Sequence, residues 1–356
     1  MVRPDDRVGN ALLTLPLVRA LQAALPGAQV DLLLPAGRGA ALSGLPGITL
    51  IPFEKQAFFR APRRFLSALL ALRRAGYDAA IDASHWHSYS LTAALLTRVA
   101  TRRWAVGGSH FQDALHSVTV GAPPPWLNEV EGKLLLLAGL GLAPPDRAPP
   151  LETALGLAPR ARQFVEGALE AHPLARFAAL NIGARKPDHR WAPGKFAALA
   201  RGLRERHGLV SLVLWGPGEE ELARAVVEGA GGAAVLAPPS DLEQLAGAFR
   251  SAALVATNDT GPLHLAVACG AKVVALQLAA DGARWGHRGA EFEAVPVHAA
   301  NDDSLQGSPP GAPPEEIAAA LEAAGRLLAL TAPPKQATVS PAKQPFGAAH
   351  EEKEGA

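Results

Sequence analysis

The chain has 356 residues, 49% of them hydrophobic, and a formal net charge of +1 at pH 7. This length and composition allow two hydrophobic cores, so two domains are expected. The balanced charge argues against a dedicated nucleic-acid binder, and the single cysteine, Cys269, excludes an internal disulfide and a cysteine-based zinc site. No apolar run is long enough to span a bilayer and no signal-like segment is evident, which predicts a cytoplasmic protein.

The first half of the chain alternates helices and strands. Residues 1–3 are available for a first strand, and Gly9 and Asn10 form a turn before a helix that is kinked near Pro16. Further strands are predicted at 29–35, 48–53, 78–82 and 104–107, and helices at 39–45, 63–75, 91–99 and 129–141. This alternation predicts an α/β fold with a parallel, doubly wound sheet.

The loop at residues 83–90 follows a predicted strand, at the edge where open α/β sheets bind ligands. It carries His85 and His87, which could both face one ligand. A metal site is disfavoured because no third ligand lies at a usual spacing. We interpret the loop as a polar and aromatic surface for a hydroxyl-rich partner, and a plain surface loop is an equal alternative.

A proline-rich stretch at 142–151 separates the two halves. We place the domain boundary within residues 143–160 and assign residues 1–150 to the first domain and 151–330 to the second. In the second half, helices are predicted at 159–172, 194–207, 241–250 and 313–330, and strands at 177–182, 210–215, 233–237 and 252–256. Residues 331–356 lack periodicity and are rich in Pro, Lys, Gln and Glu, which predicts a disordered tail.

Two loops of the second half carry charged residues directly after predicted strands. Four potential cations follow the strand at 177–182: Arg185, Lys186, His189 and Arg190. They could neutralise a diphosphate without a metal, and the alternative is a solvated run of charge. After the next strand, Glu219 follows a turn at Gly216, where a carboxylate can accept hydrogen bonds from a ribose. Alternatively, Glu219 complements the N-terminus of the next helix.

The most informative stretch is residues 257–278, which is typical of a turn and helix between two strands. Pro262 suits the first helical position, so the backbone N–H groups of Thr260 and Gly261 would lie at a helix N-terminus. The positive end of the helix dipole favours a phosphate there. In isolation, Asp259 or Thr260 would be interpreted only as a helix cap.

Four motifs in this order resemble glycosyltransferase family 9, the heptosyltransferases of lipopolysaccharide core assembly. They are Val8-Gly-Asn-Ala-Leu-Leu-Thr-Leu-Pro, Arg190-Trp-Ala-Pro, Trp215-Gly-Pro-Gly-Glu and Thr257-Asn-Asp-Thr-Gly-Pro-Leu-His-Leu-Ala. The resemblance extends from residue 3 to about residue 330. It implies a GT-B fold, in which two Rossmann-like, doubly wound domains face each other across a cleft, and a closing helix expected to cross back to the first domain.

The resemblance also implies an inverting, metal-independent transfer from an ADP-heptose-type donor, bound by the second domain, to a lipopolysaccharide-core or other lipid-linked glycan, bound by the first. It implies no cofactor and no nucleic-acid partner. We expect a monomer in the cytoplasm, with contact at the inner face of the membrane left open.

Site residues carried over from the resemblance lie in both halves. Asp259, Thr260 and Gly261 would hold the sugar and diphosphate of the donor, with His264 behind them on the helix. Glu219 matches the carboxylate that binds ribose, in the turn that contains Gly216. His189 falls where the family has a basic residue, so the cation has changed type or its role has passed to Arg190, Lys186 or Arg185.

Asn10 departs from the pattern more seriously, because the family usually has an aspartate there that acts as general base. An amide cannot accept that proton. Asp6 is our first choice as the base; otherwise Asn10 orients the acceptor hydroxyl while His85 accepts the proton, or transfer activity is lost. Two alternatives therefore remain, a non-catalytic protein that binds nucleotide sugars and a GT-B-like epimerase of sugar nucleotides.

Overall fold

The computed structural model describes residues 1–3, 7–87, 89–109, 114–172, 176–278, 282–298 and 315–330. The strands of the first half are β1 Val30–Pro35, β2 Ile48–Phe53, β3 Tyr77–Ile81, β4 Thr101–Gly108 and β5 Val118–Val120. Its helices are α1 Val8–Leu12, α2 Leu15–Ala24, α3 Ala57–Arg60, α4 Pro62–Arg74, α5 Leu91–Ala100 and α6 Glu129–Leu134, with 3-10 turns at Ala40–Leu42 and Leu135–Leu140. Helices and parallel strands thus alternate, as the sequence predicts.

The N-terminal residues complete the first sheet although they form no regular strand. Val2 bridges Leu33 of β1 on one side and Asp82, just after β3, on the other. Strands β1 and β2 pair in parallel, and so do β3, β4 and β5. With Val2 at the centre, the spatial order is therefore β2, β1, Val2, β3, β4, β5, which is the order of a Rossmann sheet.

The described residues of the second half form a six-stranded parallel sheet. Its strands are β6 Phe177–Asn181, β7 Val210–Leu214, β8 Ala234–Leu236, β9 Leu254–Asn258, β10 Val273–Leu278 and β11 Phe292–Val297. Its helices are α7 Pro159–Ala168, α8 Pro193–His207, α9 Glu220–Gly229, α10 Leu242–Ser251, α11 Gly261–Ala268, α12 Gly282–Trp285 and α13 Glu315–Ala329, with a 3-10 turn at Pro187–His189. The strand order β11-β10-β9-β6-β7-β8 is again that of a Rossmann fold.

The elements differ from the sequence-based prediction in several respects. The predicted helix at 129–141 becomes the short helix α6 followed by a 3-10 turn, and the predicted helix at 39–45 is only the 3-10 turn Ala40–Leu42. The sequence did not predict α3, β5 or α12, because each is too short to show a period, nor the edge strand β11, in which Pro296 disfavours a strand. The closing helix α13 packs on β11, α8, β10 and β9 of the second sheet, so the expected crossing to the first half was wrong for residues 315–329. The predicted tail at 331–356 lies outside the described residues.

The linker between the halves is hydrogen-bonded to both of them. Thr153 donates its hydroxyl to the Ala41 carbonyl of the first half at 2.6 Å. Arg250 of α10 donates to the Leu155 carbonyl at 2.7 Å, and Glu243 of α10 accepts from the Gly156 amide at 2.8 Å. The halves also share one hydrophobic cluster, in which buried residues of α1 and α2 lie with buried residues of β9 and α11. The two sheets thus form a closely packed pair.

Candidate active site

The helix α11 begins at the carboxyl edge of the second sheet, directly after β9. Its N-cap, Thr260, has an extended backbone (φ −145°), and its side chain makes no capping hydrogen bond within the described chain. Gly261 is exposed and Pro262 lies in the first turn, as the sequence predicts. The helix therefore presents its positive end without a side-chain cap, an arrangement suited to an anion.

The start of α11 faces the start of α1 in the other half. A Cβ built on Gly9 would lie 3.1 Å from Gly261 Cα and 2.8 Å from the Cδ2 atom of His264. Both distances are shorter than ordinary van der Waals contacts, so only glycine fits at position 9 without movement. This contact joins the turn of the first motif to the helix of the fourth.

A buried polar cluster lies beside Asn10, the residue after Gly9. His85 donates from Nδ1 to Glu129 Oε1 at 2.6 Å, and Lys133 Nζ donates to the same oxygen at 2.8 Å. Lys133 also donates to the Ala83 carbonyl, as does Arg3. Arg3 and Lys133 are fully buried. We refer to Arg3, His85, Glu129 and Lys133 as the polar cluster.

Hydrogen bonds determine the tautomer of His85. Its Nε2 atom lies 2.9 Å from an Arg3 guanidinium nitrogen and 3.2 Å from Asn10 Nδ2. Since guanidinium can only donate, Nε2 acts as the acceptor and the ring proton resides on Nδ1, facing Glu129. The neutral imidazole thus directs its lone pair toward Asn10 and Arg3.

The charges in the polar cluster are consistent with a neutral histidine and an ionised glutamate. Burial lowers the pKa of His85, and the positive charges of Arg3 and Lys133 lower it further; the hydrogen bond that His85 donates to Glu129 opposes these effects. Burial by itself would raise the pKa of Glu129, but Lys133 and His85 outweigh it and hold that pKa well below its usual range. Glu129 therefore remains a carboxylate that orients His85 and compensates Lys133.

Two histidines lie behind the start of α11. His264 Nδ1 and His287 Nε2 are 2.9 Å apart, and His287 stacks edge-on against Phe292. Burial, with a contribution from His287, lowers the pKa of His264 well below its ordinary value, and burial lowers the pKa of His287 to about 4. Both rings are therefore neutral at pH 7.

A short segment after β10, residues 284–288, reaches from the second half to the first. Trp285 packs edge-on against His85, with ring centroids 5.2 Å apart. Arg284 Nε lies 3.5 Å from Glu129 Oε2, and Arg288 Nε lies 2.6 Å from Glu131 Oε1. We refer to residues 284–288 as the interdomain latch.

Glu219 links the two charged loops of the second half. Its carboxylate accepts from the Ala184 amide at 3.0 Å, from the Gly216 amide at 2.9 Å and from Arg190 at 3.2 Å. A Cβ on Gly183 would lie only 2.3 Å from Glu219 Oε2. Arg190 also donates to the Ala184 carbonyl, whereas its buried Nε has no hydrogen-bond partner among the described residues.

Asn258, at the end of β9, ties the cationic loop to α11. Its Oδ1 accepts from the Trp191 amide at 3.0 Å and its Nδ2 donates to the Ile182 carbonyl at 2.8 Å. Asp259, the next residue, is partly exposed, and its amide donates to the Leu276 carbonyl at 3.3 Å. The start of α11 and the charged loops therefore share one edge of the sheet.

The structure brings some of the predicted site residues together and leaves others apart. Asn10, His85, Gly261 and His264 lie at the junction of α1 and α11, and Glu219 and Arg190 lie on the neighbouring loops. His87, Arg185 and Lys186 are exposed and His189 is partly exposed; no hydrogen bond in the described chain joins them to the polar cluster. Asp6 lies outside the described residues.

Sequence reasoning missed Arg3, Glu129, Lys133 and the interdomain latch. One available signal was the pair Glu129 and Lys133, which are four positions apart on a predicted helix where Lys133 precedes four leucines. An isolated lysine in such an apolar run indicates a buried ionic partner.

Within the described residues, no group of three or more His, Cys, Asp or Glu could hold a metal ion. Their helices also include none that is both long and apolar enough to cross a membrane.

The same architecture occurs in solved structures of several bacterial proteins. E. coli heptosyltransferase WaaC, solved with ADP-2-deoxy-2-fluoro heptose, is 23% identical with a TM-score of 0.63, covering 82% of this chain and 91% of its own. A glycosyl transferase family 9 protein from Veillonella parvula is 19% identical with a TM-score of 0.70, and the match covers 92% of this chain and 96% of that protein. E. coli ADP-heptose lps heptosyltransferase II is 19% identical with a TM-score of 0.64, and the match covers 92% of this chain and 97% of that protein.

Two Rossmann sheets that meet at α1 and α11, together with this likeness, define the GT-B fold. Residues 66–305 match the family model described as glycosyltransferase family 9 (heptosyltransferase). The chain belongs to glycosyltransferase family 9. No curated protein matches it at the level of sequence.

Proposed function

We propose that the chain transfers a heptose-type sugar from an ADP-sugar to a hydroxyl group of the lipopolysaccharide core or another cell-envelope glycan. The transfer would invert the anomeric centre and need no metal ion. The observation that carries this proposal is the junction of α1 and α11, where an uncapped helix start meets the polar cluster across Gly9. A donor diphosphate and an acceptor hydroxyl would meet at this point.

The second half supplies the groups for the donor. The N-terminus of α11 at Thr260 and Gly261 would bind the diphosphate, and Asp259 would accept hydrogen bonds from sugar hydroxyls. Arg190 has an unused Nε beside Glu219, and Lys186 and Arg185 are exposed on the same loop. These positive groups would stabilise the charge that develops on the departing ADP.

Glu219 would bind the ribose after an exchange of partners. Its carboxylate is satisfied by two backbone amides and Arg190, and a ribose hydroxyl pair would replace part of this set. Arg190, released from Glu219 by the ribose, would turn toward the diphosphate.

The ADP-2-deoxy-2-fluoro heptose present with WaaC supports an ADP-linked heptose as the donor class.

The first half supplies the groups for the acceptor. Among the described residues, His85 is the best-placed base, because its neutral Nε2 faces Asn10 and its other nitrogen is held by the ionised Glu129. The acceptor hydroxyl would replace the longer hydrogen bond, from Asn10, and donate to Nε2. Asp6, predicted from the sequence as the base, is the competing group.

The proposed step is a single displacement. The acceptor oxygen forms a bond to the anomeric carbon while the bond from that carbon to the diphosphate oxygen breaks, and ADP leaves with the electron pair. The hydroxyl proton passes to His85, whose positive charge is offset by Glu129. Attack opposite to the leaving group inverts the anomeric configuration.

The experiment is to incubate the protein with ADP-heptose, with and without a lipopolysaccharide-core acceptor, and to measure ADP release and the anomeric configuration of the product. Acceptor-dependent release, an inverted product and no effect of EDTA would support the proposal. Donor consumption without acceptor would indicate an epimerase instead. Binding of ADP-heptose without turnover would indicate a non-catalytic paralogue, the alternative that Asn10 favours.

A further inference from the structure

The segment at residues 55–76, which contains α3 and α4, has an unusual charge pattern. It contains no acidic residue, and it carries six cations: Lys55, Arg60, Arg63, Arg64, Arg73 and Arg74. The chain as a whole is almost neutral at +1, so this local excess of positive charge is balanced elsewhere on the molecule. Such a local field attracts anionic surfaces.

Helix α4 has two apolar faces, and only one of them is packed. Phe65, Leu69 and Leu72 join the hydrophobic cluster of the first sheet and α5. Leu66 and Leu70, four positions apart and therefore on one face, are 57% and 45% exposed. Exposed arginines lie at both ends of this stripe, Arg63 one turn before Leu66 and Arg74 one turn after Leu70.

The neighbouring elements extend the exposed apolar surface. Phe59 of α3 is 85% exposed, and α3 packs against α4. Helix α5, which also packs against α4, exposes Leu91 and Leu95 with Arg98 on the same face. We refer to the exposed residues of α3, α4 and α5 as the basic apolar face.

Positive charge is concentrated where α4 ends beside α5 and β4. Arg73 donates to the Val99 carbonyl at 3.2 Å, which places it at the end of α5. Burial and the neighbouring Arg102 and Arg98 lower the pKa of Arg73. Three guanidinium groups therefore lie close enough to repel one another, and an external anion would relieve that repulsion.

The basic apolar face continues into the pocket beside the polar cluster. That pocket is lined by Ser84, His85, Tyr89 and Ser90, among other residues. Leu91, the first residue of α5, follows Ser90 directly and is 57% exposed. A surface bound to this face would therefore lie next to a pocket that is lined by His85, the proposed base.

We propose that the basic apolar face docks the protein on the surface of an anionic phospholipid bilayer. Phe59, Leu66 and Leu70 would insert into the interface between headgroups and acyl chains, and Arg63, Arg64 and Arg74 would contact lipid phosphates. The proposal goes beyond the proposed function, because it assigns the surface by which the protein binds a bilayer; only the placement of an acceptor glycan beside that bilayer rests on the proposed function.

A membrane fits this face better than nucleic acid or a folded protein partner. Nucleic-acid surfaces use polar and aromatic groups, whereas two exposed leucines on one helix face gain most from an apolar medium. The arginines border the apolar stripe on its helix instead of interrupting it, as in helices that lie in the plane of a membrane interface. The absence of acidic residues from 55–76 removes repulsion by lipid phosphates.

The test is sedimentation of the full-length protein with vesicles of phosphatidylglycerol and phosphatidylethanolamine, compared with vesicles of phosphatidylcholine alone. We expect binding to the anionic vesicles that weakens with salt. The double variant Arg63→Gln/Arg64→Gln should weaken binding by about tenfold or more, since each surface arginine contributes about fivefold. The matched control is Arg204→Gln/Arg206→Gln on α8, which removes the same charge from another exposed helix end.

A second variant pair tests the apolar contribution. Leu66→Ser/Leu70→Ser should reduce binding, whereas Leu157→Ser, a residue 61% exposed in the linker, should not. The proposal would be overturned if the test and control variants lost vesicle binding equally, or if the protein bound neutral and anionic vesicles equally well. Binding to RNA or to another protein but to no vesicle would overturn it too. Vesicle binding is measured without donor or acceptor, so a failure here is distinguishable from a failure of the transfer assay.

Discussion

Gly9 and Gly261 lie against each other where the two halves of the chain meet, with only 3.1 Å between Gly261 Cα and the position of a Cβ on Gly9. Gly9 is the second residue of α1, and Gly261 is the first residue of α11. Because Gly9 has no side chain, the two helix starts approach closely enough to bring Asn10 and the polar cluster next to the proposed diphosphate site. This contact sets the geometry on which the proposed transfer depends.

The first prediction concerns Gly9. In Gly9→Ala, the added methyl would lie 2.8 Å from His264 Cδ2, and the buried His264 ring has little room to move. We expect the free energy of unfolding to fall by about 1–3 kcal/mol, the usual cost of overpacking, together with a lower kcat. Urea unfolding and the ADP-release assay measure the two effects.

Gly261→Ala is the matched control for this prediction. A Cβ there would lie 3.9 Å from the Gly9 amide nitrogen, an ordinary contact. The free energy of unfolding should change by less than about 0.5 kcal/mol, while the affinity for ADP falls because the methyl occupies the space of the diphosphate. Unchanged ADP affinity would contradict the assignment of the α11 start as the diphosphate site.

The second prediction concerns the proton acceptor. His85→Gln should keep an acceptor near Asn10 but cannot take a proton, so kcat should fall by about 100-fold or more. In the unsubstituted protein, kcat should be constant at neutral pH and decline only at a pH below 6.5, since burial lowers the pKa of His85. The acid limb of the pH profile should disappear from the residual activity of the variant.

The variant Asp6→Asn is measured in the same kcat and pH-profile assays as His85→Gln. If this variant, and not His85→Gln, loses the acid limb and most of kcat, then Asp6 is the base and His85 only orients the hydroxyl. The Michaelis constant for the donor should remain within about threefold in both variants, because neither residue is assigned to the donor half. A large change in donor binding would contradict that division of roles.

The third prediction is a pH dependence of stability caused by His264 and His287. Burial lowers both pKa values, that of His287 to about 4, whereas the unfolded chain has its ordinary value near 6.5. The unfolded state therefore binds more protons below pH 6.5, and stability falls as the pH decreases from 6.5 toward 4. His287 would contribute up to about 3 kcal/mol of this loss.

His287→Gln retains a group that can hydrogen-bond to His264 but does not titrate. Unfolding by urea at a series of pH values should show a shallower loss of stability in this variant than in the unsubstituted protein. Identical slopes for this variant and the unsubstituted protein would contradict the prediction.

The fourth prediction concerns the interdomain latch. Arg288 contacts Glu131 through Nε at 2.6 Å and through a second nitrogen at 3.2 Å, and its side chain is mostly exposed. A double-mutant cycle with Arg288→Ala and Glu131→Gln should give a coupling of about 0.5–1 kcal/mol in the free energy of unfolding. Glutamine is chosen for Glu131→Gln because its side chain can still accept from the Asn128 amide and so preserve the capping box.

High salt should reduce this coupling, because exposed ion pairs are screened. The control cycle uses Arg162→Ala and Glu166→Gln, an exposed pair within α7 that joins no separate parts of the fold. Small-angle scattering should show a larger radius of gyration for Arg288→Ala than for Arg162→Ala if the latch holds the halves together. Equal radii would contradict a role in closure.

Much of the fold could be predicted because its signals are local. The strand at 48–53 is found at Ile48–Phe53, and the helix break expected near Pro16 separates α1 from α2. The prolines and glycines fix such boundaries through their own backbone preferences. The segments α3 and β5 have only four and three residues, which is too short for a period to be visible.

The candidate site was only partly predictable. The motif around Gly261 and the loop with His85 were found because each follows a strand at the ligand-binding edge of a sheet. Arg3 was missed because it lies in a three-residue segment without a pattern, and its importance becomes visible only when its burial and partners are known. Lys133 was missed although its spacing from Glu129, just before a run of leucines, was a usable signal.

The sequence by itself determined the alternating elements, the helix start at Thr260 and Gly261, and the likeness to glycosyltransferase family 9, since these depend on neighbouring residues and their spacing. Only the tertiary structure decided that Gly9 meets Gly261, that His85 directs its lone pair toward Asn10, and that Glu129 serves both His85 and Lys133. Apart from Glu129 and Lys133, which are four positions apart, these contacts join residues far apart in the chain, and no local preference specifies them. They result from the packing of the two halves around a shared hydrophobic cluster, with α1 against α11.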